Sequence, residues 1–184
     1  MSKVEKRFFV TKSNNHFTIR TALPNDADRI ISFTRNIMAE APFLLTTEAE
    51  FKVTSEQQKQ FLQDVFDSRG KLALAAEMED EIIGFLDFHN GHKQRIQHQG
   101  SFGMSVNQHY RNKGVGKALL TVLLDWAKEN PLIEKVCLEV FADNQHAIEL
   151  YKKFGFVEEG RKRKAIKIDE QTYHDVLIMA NFVK

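Results

Sequence analysis

Disulfides, membrane spans and a charge of one sign are all missing from this sequence. With one cysteine among 184 residues there is no intramolecular bridge, so the fold must rest on its core, and a reducing compartment suits it. No apolar run approaches the ~20 residues of a spanning helix, and MSKVEKRFFV lacks the long apolar centre of a signal peptide. The chain therefore reads as soluble and cytoplasmic, with no membrane partner. Lys and Arg number 26 against 25 Asp and Glu, a formal net charge of +1, which gives no global reason to bind nucleic acid. Three prolines and nine glycines are scattered, with no linker tract and no repeat, so a single domain over residues 1–184 is expected. Residues 1–16 form its one appendage, an N-terminal arm.

Apolar residues, by contrast, make up 42% of the chain, enough for a sizeable core. KRFFV and FTIRTAL are β-like runs separated by polar TKSNNH, which predicts a hairpin. Asn25 can cap a helix whose apolar face is Ala27, Ile30, Ile31, Thr34, Ile37 and Met38, with Pro42 as its stop. A second helix is expected over 55–67, with Phe61, Leu62, Val65 and Phe66 inward. LALAAE, IIGFLDF and SFGMSV read as three antiparallel strands. A long helix follows, striped by Val115, Ala118, Leu119, Val122, Leu123 and Trp126 and ended by Pro131. VCLEVF reads as a buried strand with Cys137 as a small buried residue. Asn144 to Phe154 reads as a helix closed by Gly155, and FVEEGRKRKAIKI with TYHDVLIMANF as a final hairpin. The order β, α, α, β, β, β, α, β, α, β, β predicts an α/β fold on a mixed sheet.

The stretch RNKGVGKALL, Arg111 to Leu120, joins a predicted strand to a predicted helix. A triphosphate loop needs a glycine where Arg111 stands and Ser or Thr where Ala118 stands, and a dinucleotide fingerprint needs three spaced glycines where only Gly114 and Gly116 occur. What remains is either a tight strand-to-helix turn that uses its glycines for shape alone, or a loop that bares backbone amides at a helix N-terminus, suited to a pyrophosphate without metal.

Arg111-x-x-Gly114-x-Gly116 after SFGMSV resembles the acetyl-CoA-binding motif of the GNAT superfamily of N-acetyltransferases. Asn144-x-x-Ala147-x-x-Leu150-Tyr151-x-x-x-Gly155-Phe156 resembles that superfamily's second motif, in the right order, and the likeness runs from Phe17 to Val183. The resemblance implies a mixed, mostly antiparallel sheet of about seven strands flanked by helices. It also implies a splay between the strand ending near Val106 and the strand starting near Lys135. Acetyl-CoA would be the co-substrate. Backbone near Met104 and Val106 would pair with its pantetheine arm, and amides of Arg111, Asn112, Lys113, Gly114, Gly116 and Lys117 would take its pyrophosphate. Asn144, a helix N-cap, would also contact the pantetheine.

The same resemblance implies Tyr151 as general acid toward the departing sulfur, and Tyr151 lies on the inward stripe Ala147, Leu150, Tyr151, Phe154. Glu139 interrupts an apolar strand, so it must be wet, paired or useful; its position resembles that of a base glutamate in some protein N-terminal acetyltransferases of the superfamily. The acceptor would be a primary amine of a small molecule, an amino acid or a protein N-terminus, attacking directly. A non-catalytic acyl-CoA-binding sensor or interaction module on the same fold fits the same residues. His89, His92 and His98 match no metal-ligand spacing, so no metal is expected. Arg161 to Lys164 reads as the solvated face of an edge strand. By the same resemblance Glu48 and Glu50 sit in a loop where acceptor sites form, and read either as solvated loop carboxylates or as an attraction for a cationic amine; exposed edge strands suit a homodimer.

Overall fold

The computed structural model describes residues 3–40 and 44–184. Eight strands form one sheet in the order β1-β2-β3-β4-β5-β6-β8-β7: β1 Arg7–Val10, β2 His16–Thr21, β3 Lys71–Met78, β4 Glu81–Asn90, β5 Gln99–Val106, β6 Lys135–Phe141, β7 Val157–Lys167 and β8 Tyr173–Phe182. Every neighbouring pair is antiparallel except β5 and β6, which are parallel. The strand beyond the expected seven is β1, contributed by the arm, which pairs with β2 from Arg7↔Ile19 to Val10↔His16.

Among the described residues, four α-helices cover the two faces: α1 Ala27–Glu40, α2 Ser55–Asp67, α3 Val115–Glu129 and α4 Gln145–Lys153. Ile30, Phe33, Leu62 and Val65 of α1 and α2 pack with Ala73 and Ala75 of β3. Leu119, Leu123 and Trp126 of α3 pack on the other face with Leu72, Leu74 and Leu86. β3 is thus buried on both sides, which explains why LALAA is a continuous apolar run and not an alternating one. Trp126 stands edge-on to Phe88, ring centroids 5.5 Å apart.

Local signals explain most of the element ends. Thr54 caps α2, accepting from the Gln57 amide at 3.2 Å while Gln57 Oε1 accepts from the Thr54 amide at 2.9 Å, a reciprocal capping box. Glu79 and Asp80 turn β3 into β4 with φ of 48° and 64°, the left-handed pair that a tight hairpin requires. Two expectations differ. Asn25 does not cap α1; a 3-10 turn over Pro24–Asp26 leads into it. There Asp26, not Asn25, turns inward, accepting from the Leu23 amide at 2.8 Å and from both Arg20 Nη atoms at 2.7 and 2.8 Å. Cys137 is half-buried, not buried. Pro42, expected to end α1, lies outside the described residues.

Candidate active site

β5 and β6 run side by side only from Gln99↔Lys135 to Ser101↔Cys137, after which they part. The Asn107 amide donates to the Ile83 carbonyl at 3.0 Å and the Gly91 amide to the Gln99 carbonyl at 3.0 Å, and the β4–β5 register is unbroken between them. In an antiparallel ladder alternate residues bond the same neighbour, so Ser101, Gly103 and Ser105 spend their backbone groups on β4. Met104 and Val106 therefore present theirs to the gap, the two positions expected to pair with a pantetheine arm. The Val106 carbonyl is taken by Arg111 Nε at 3.1 Å.

The loop after β5 ends in a left-handed turn. Asn112 has φ 60° and Gly114 φ 100°; Gly114 is the α3 N-cap, and a side chain there would be strained even though its Cβ would meet open space. The first bond of α3 runs from the Ala118 amide to the Gly114 carbonyl at 3.0 Å. Among the described residues, no acceptor meets any amide from Asn112 to Lys117. That leaves a run of donors at the positive end of a helix. At Gly116 an added Cβ would lie 3.5 Å from Met104 Cε and 3.6 Å from Leu150 Cδ2, on the wall of the groove itself.

This groove, about 920 Å³, is walled by Arg111, Asn112, Gly114, Gly116 and Lys117 on one side and by Asn144, Ala147, Leu150 and Tyr151 on the other. Lys113 belongs to the loop but is turned away, its ammonium 5.6 Å from the Tyr110 ring centre. Lys12 takes its place on the wall. The turn between β1 and β2 brings it there, where the Lys12 amide donates to the Lys113 carbonyl at 3.2 Å. Sequence reading missed Lys12 because the contact joins distant segments. Lys153, from the last turn of α4, is a further basic residue on the wall. The amides, the missing side chain at Gly116 and these cations together fit a chain-like anion carrying phosphates.

A second cavity of about 960 Å³ opens on the α1–α2 face. Tyr151, Asn144, Met104 and Ser105 line both cavities, so the two meet at the splay. Asn144 caps α4, its Oδ1 accepting from the Ala147 amide at 3.3 Å. Tyr151 is 8% exposed, and its ring sits edge-on to Phe102 and Phe156 at 5.9 and 5.8 Å. Burial pushes its hydroxyl up to about 12. That hydroxyl has no hydrogen-bond partner among the described residues, and an unmet buried polar group is costly unless a ligand completes it.

Glu139 also lines the second cavity. It is wet and paired: Lys162 Nζ of β7 lies 2.5 Å from its Oε1, and both side chains are about half exposed. Asp87, on β4, is another carboxylate on that wall, and nothing in the sequence singled it out. Glu50 folds back to accept from the Thr47 amide and hydroxyl at 2.9 and 2.8 Å, and neither it nor Glu48 lines the cavity. Cys137 lines neither cavity; burial is the main influence on its thiol and raises it. Among the described residues no three His, Cys, Asp or Glu side chains gather as a metal site. None of the helices described is long and apolar enough to cross a membrane.

The Acetyltransferase (GNAT) family model matches residues 35–156. The L-amino acid N-acetyltransferase AaaT of Escherichia coli (strain K12) is 32% identical over 115 residues, 62% of this chain and 70% of that protein. The crystal structure of an acetyltransferase of the GNAT family from Streptococcus pneumoniae is similar at a TM-score of 0.87 and 28% identity, covering 91% of this chain and 99% of that one. The structure of yncA from Salmonella typhimurium, solved with its cofactor acetyl-CoA, shares the fold at a TM-score of 0.79 and 16% identity, covering 91% of this chain and 94% of that one.

Proposed function

Since the chain belongs to the GNAT acetyltransferase family and is an acetyl-CoA-dependent acyltransferase, we propose that it acetylates a primary amine by direct attack, without a covalent enzyme intermediate. The observation that carries this reading is the meeting of two cavities at one buried hydroxyl without a partner. The amide-lined groove reaches Tyr151 from one side and the carboxylate-bearing cavity reaches it from the other.

Acetyl-CoA supplies an activated acyl group and a thiolate leaving group. The residues divide the remaining work. The amides of Asn112 to Lys117, with Arg111, Lys117, Lys12 and Lys153 nearby, hold phosphates by charge-assisted hydrogen bonds. The Met104 backbone groups and the Val106 amide hold the arm in the gap. An amide there donates to the thioester oxygen as negative charge develops on it, a donor already fixed in direction by the β4–β5 ladder. Tyr151 stays protonated at neutral pH and donates to the sulfur. With the hydroxyl at about 12 and a thiol near ~8.5, full proton transfer to a free thiolate is uphill, so the contribution is the hydrogen bond made as the C–S bond breaks. Asn144 caps the N-terminus of α4, the helix whose last turn carries Tyr151. In balance, the amine gives up a proton, an N–C bond replaces the C–S bond, and coenzyme A leaves as the thiol. Cys137, outside both cavities, is not placed to accept the acetyl group.

Titration calorimetry with acetyl-CoA and a thiol-release assay over a panel of amines test the reading. Binding followed by amine-dependent thiol release is expected. Binding with no release on any amine would instead mark a sensor on this fold, and no binding would remove the groove's assignment.

A further inference from the structure

The acceptor-side cavity has few charges and many rings. Ile30, Phe33, Phe61, Phe85, Phe141 and Val176 line it, and the charged side chains on its wall are Asp87, Glu139 and Lys162. Lys162 and Glu139 answer each other at 2.5 Å. The excess charge is the single negative one of Asp87.

The register around Asp87 shows where that charge points. Asp87 stands opposite Gly103 of β5 and opposite Ala73 of β3, so its side chain rises from the sheet between two small neighbours. Its Oδ2 lies 2.9 Å from His89 Nε2, two residues along the same strand face, and the His89 ring rests 5.5 Å from Phe61 of α2. Its Oδ1 has no such partner among the described residues and lies 3.6 Å from the position a Cβ would occupy at Gly103. One carboxylate oxygen is therefore anchored. The other looks over a residue with no side chain, immediately before Met104, whose backbone opens onto the splay.

Resting on the N-acetyltransferase reading above, we propose that the acceptor is a small monocationic amine with a bulky apolar body. Its ammonium is held on Asp87, which His89 orients, and its body lies among the rings of α1, α2 and β6. Asp87 takes one ammonium proton; the neutral nitrogen then forms the N–C bond as the C–S bond breaks, and its second proton balances the thiolate that leaves as thiol. The cavity's charges argue against the other amines. A polyamine would bring further ammonium groups into an apolar wall with no free carboxylate to meet them. A free amino acid would bring a carboxylate, and among the described residues the only Lys or Arg on that wall, Lys162, is already engaged by Glu139. Walls on both sides, from residues 44–53 and from β7, suit a compact molecule over an extended peptide.

The test compares 2-phenylethylamine and L-leucine amide with spermidine, L-leucine and a peptide beginning with leucine, by thiol release with acetyl-CoA saturating. The first two should exceed the others at least tenfold in kcat/KM. Higher kcat/KM for spermidine, the free amino acid or the peptide overturns the proposal while leaving the N-acetyltransferase reading intact. No release with any amine, despite acetyl-CoA binding, removes both. Asp87→Asn should raise the amine KM tenfold or more and leave the acetyl-CoA Kd within twofold, which also shows that the variant is folded. His89→Ala should raise the amine KM severalfold and His89→Gln, which keeps a donor, should recover most of the loss. Gly103→Ala, whose new methyl meets Oδ1 at an ordinary contact distance, should raise the amine KM with little effect on stability. A larger KM effect from Glu139→Gln than from both Asp87→Asn and Gly103→Ala would overturn the assignment.

Discussion

Replacing Tyr151 by Phe separates chemistry from packing, because the hydroxyl can be removed from its pocket without moving the ring. The ring keeps its edge contacts with Phe102 and Phe156. The lost group has no partner among the described residues, so no internal hydrogen bond is broken and the variant should be as stable as the parent or more so, by up to about 1 kcal/mol. Turnover behaves differently. A hydrogen bond to a charged sulfur is worth roughly 1.5–3 kcal/mol, which corresponds to a kcat about ten- to a hundredfold lower. The acetyl-CoA Kd should change less than twofold.

The same residue carries a signature at high pH. Its folded value, about 12, lies above the unfolded ~10, so the folded state holds the proton more tightly. That contribution is fully present below pH ~10 and is lost as pH rises through about 12, a loss of about 3 kcal/mol. Denaturant titrations of the Phe variant should lack this component. Single-turnover thiol release decides the catalytic part: a rate equal to that of the parent would show that Tyr151 takes no part in the departure of the sulfur.

Two further sets of substitutions act away from Tyr151. Gly114→Ala places a side chain at φ 100° and should cost about 1–2 kcal/mol in denaturant unfolding and weaken acetyl-CoA binding severalfold in calorimetry, whereas Gly116→Ala, with ordinary contacts, should weaken binding without that stability loss. Asp26→Asn should destabilise by about 3 kcal/mol at neutral pH, because it strips Arg20 of one of two carboxylates. Burial alone would raise the Asp26 carboxyl, but hydrogen bonds from Arg20 and the Leu23 amide and the charges of Arg20 and Arg29 outweigh it and hold it low. That stability is present above pH ~4 and lost as pH falls below it, so acid titration of the Asn variant should be flatter than that of the parent.

The elements most legible in the sequence are those whose signals are local. Thr54 with Gln57, Glu79 with Asp80, and the positive φ at Gly114 and Gly155 each mark an end within a few residues, and the inward stripe of α3 shows in its spacing. The groove was legible for the same reason, since most of its wall is one loop and one helix. What could not be read depends on which strands lie side by side. Asp87 gains its meaning from Gly103 across β5 and from His89 beside it, and period-two alternation says only that Asp87 and His89 share a face. Lys12 reaches the groove through a bond to Lys113, a contact that no window of sequence contains. Asn25 is a good helix cap by its local sequence, but the chain there folds as a 3-10 turn whose Asp26 is held by Arg20 from β2 and by the Leu23 amide. Glu139 was noticed as an oddity, but Lys162, which neutralises it, lies on another strand.

Trp126 offers an optical consequence. It is the only tryptophan in the chain, 8% exposed and edge-on to Phe88, and it lines neither cavity. Its emission is set by the contact between α3 and the sheet and should shift to the red when that contact opens. Intrinsic fluorescence thus isolates folding from ligand occupancy. The stability changes expected for Tyr151, Gly114 and Asp26 variants can be read from one chromophore, with acetyl-CoA present or absent, without a signal from the groove confounding the trace.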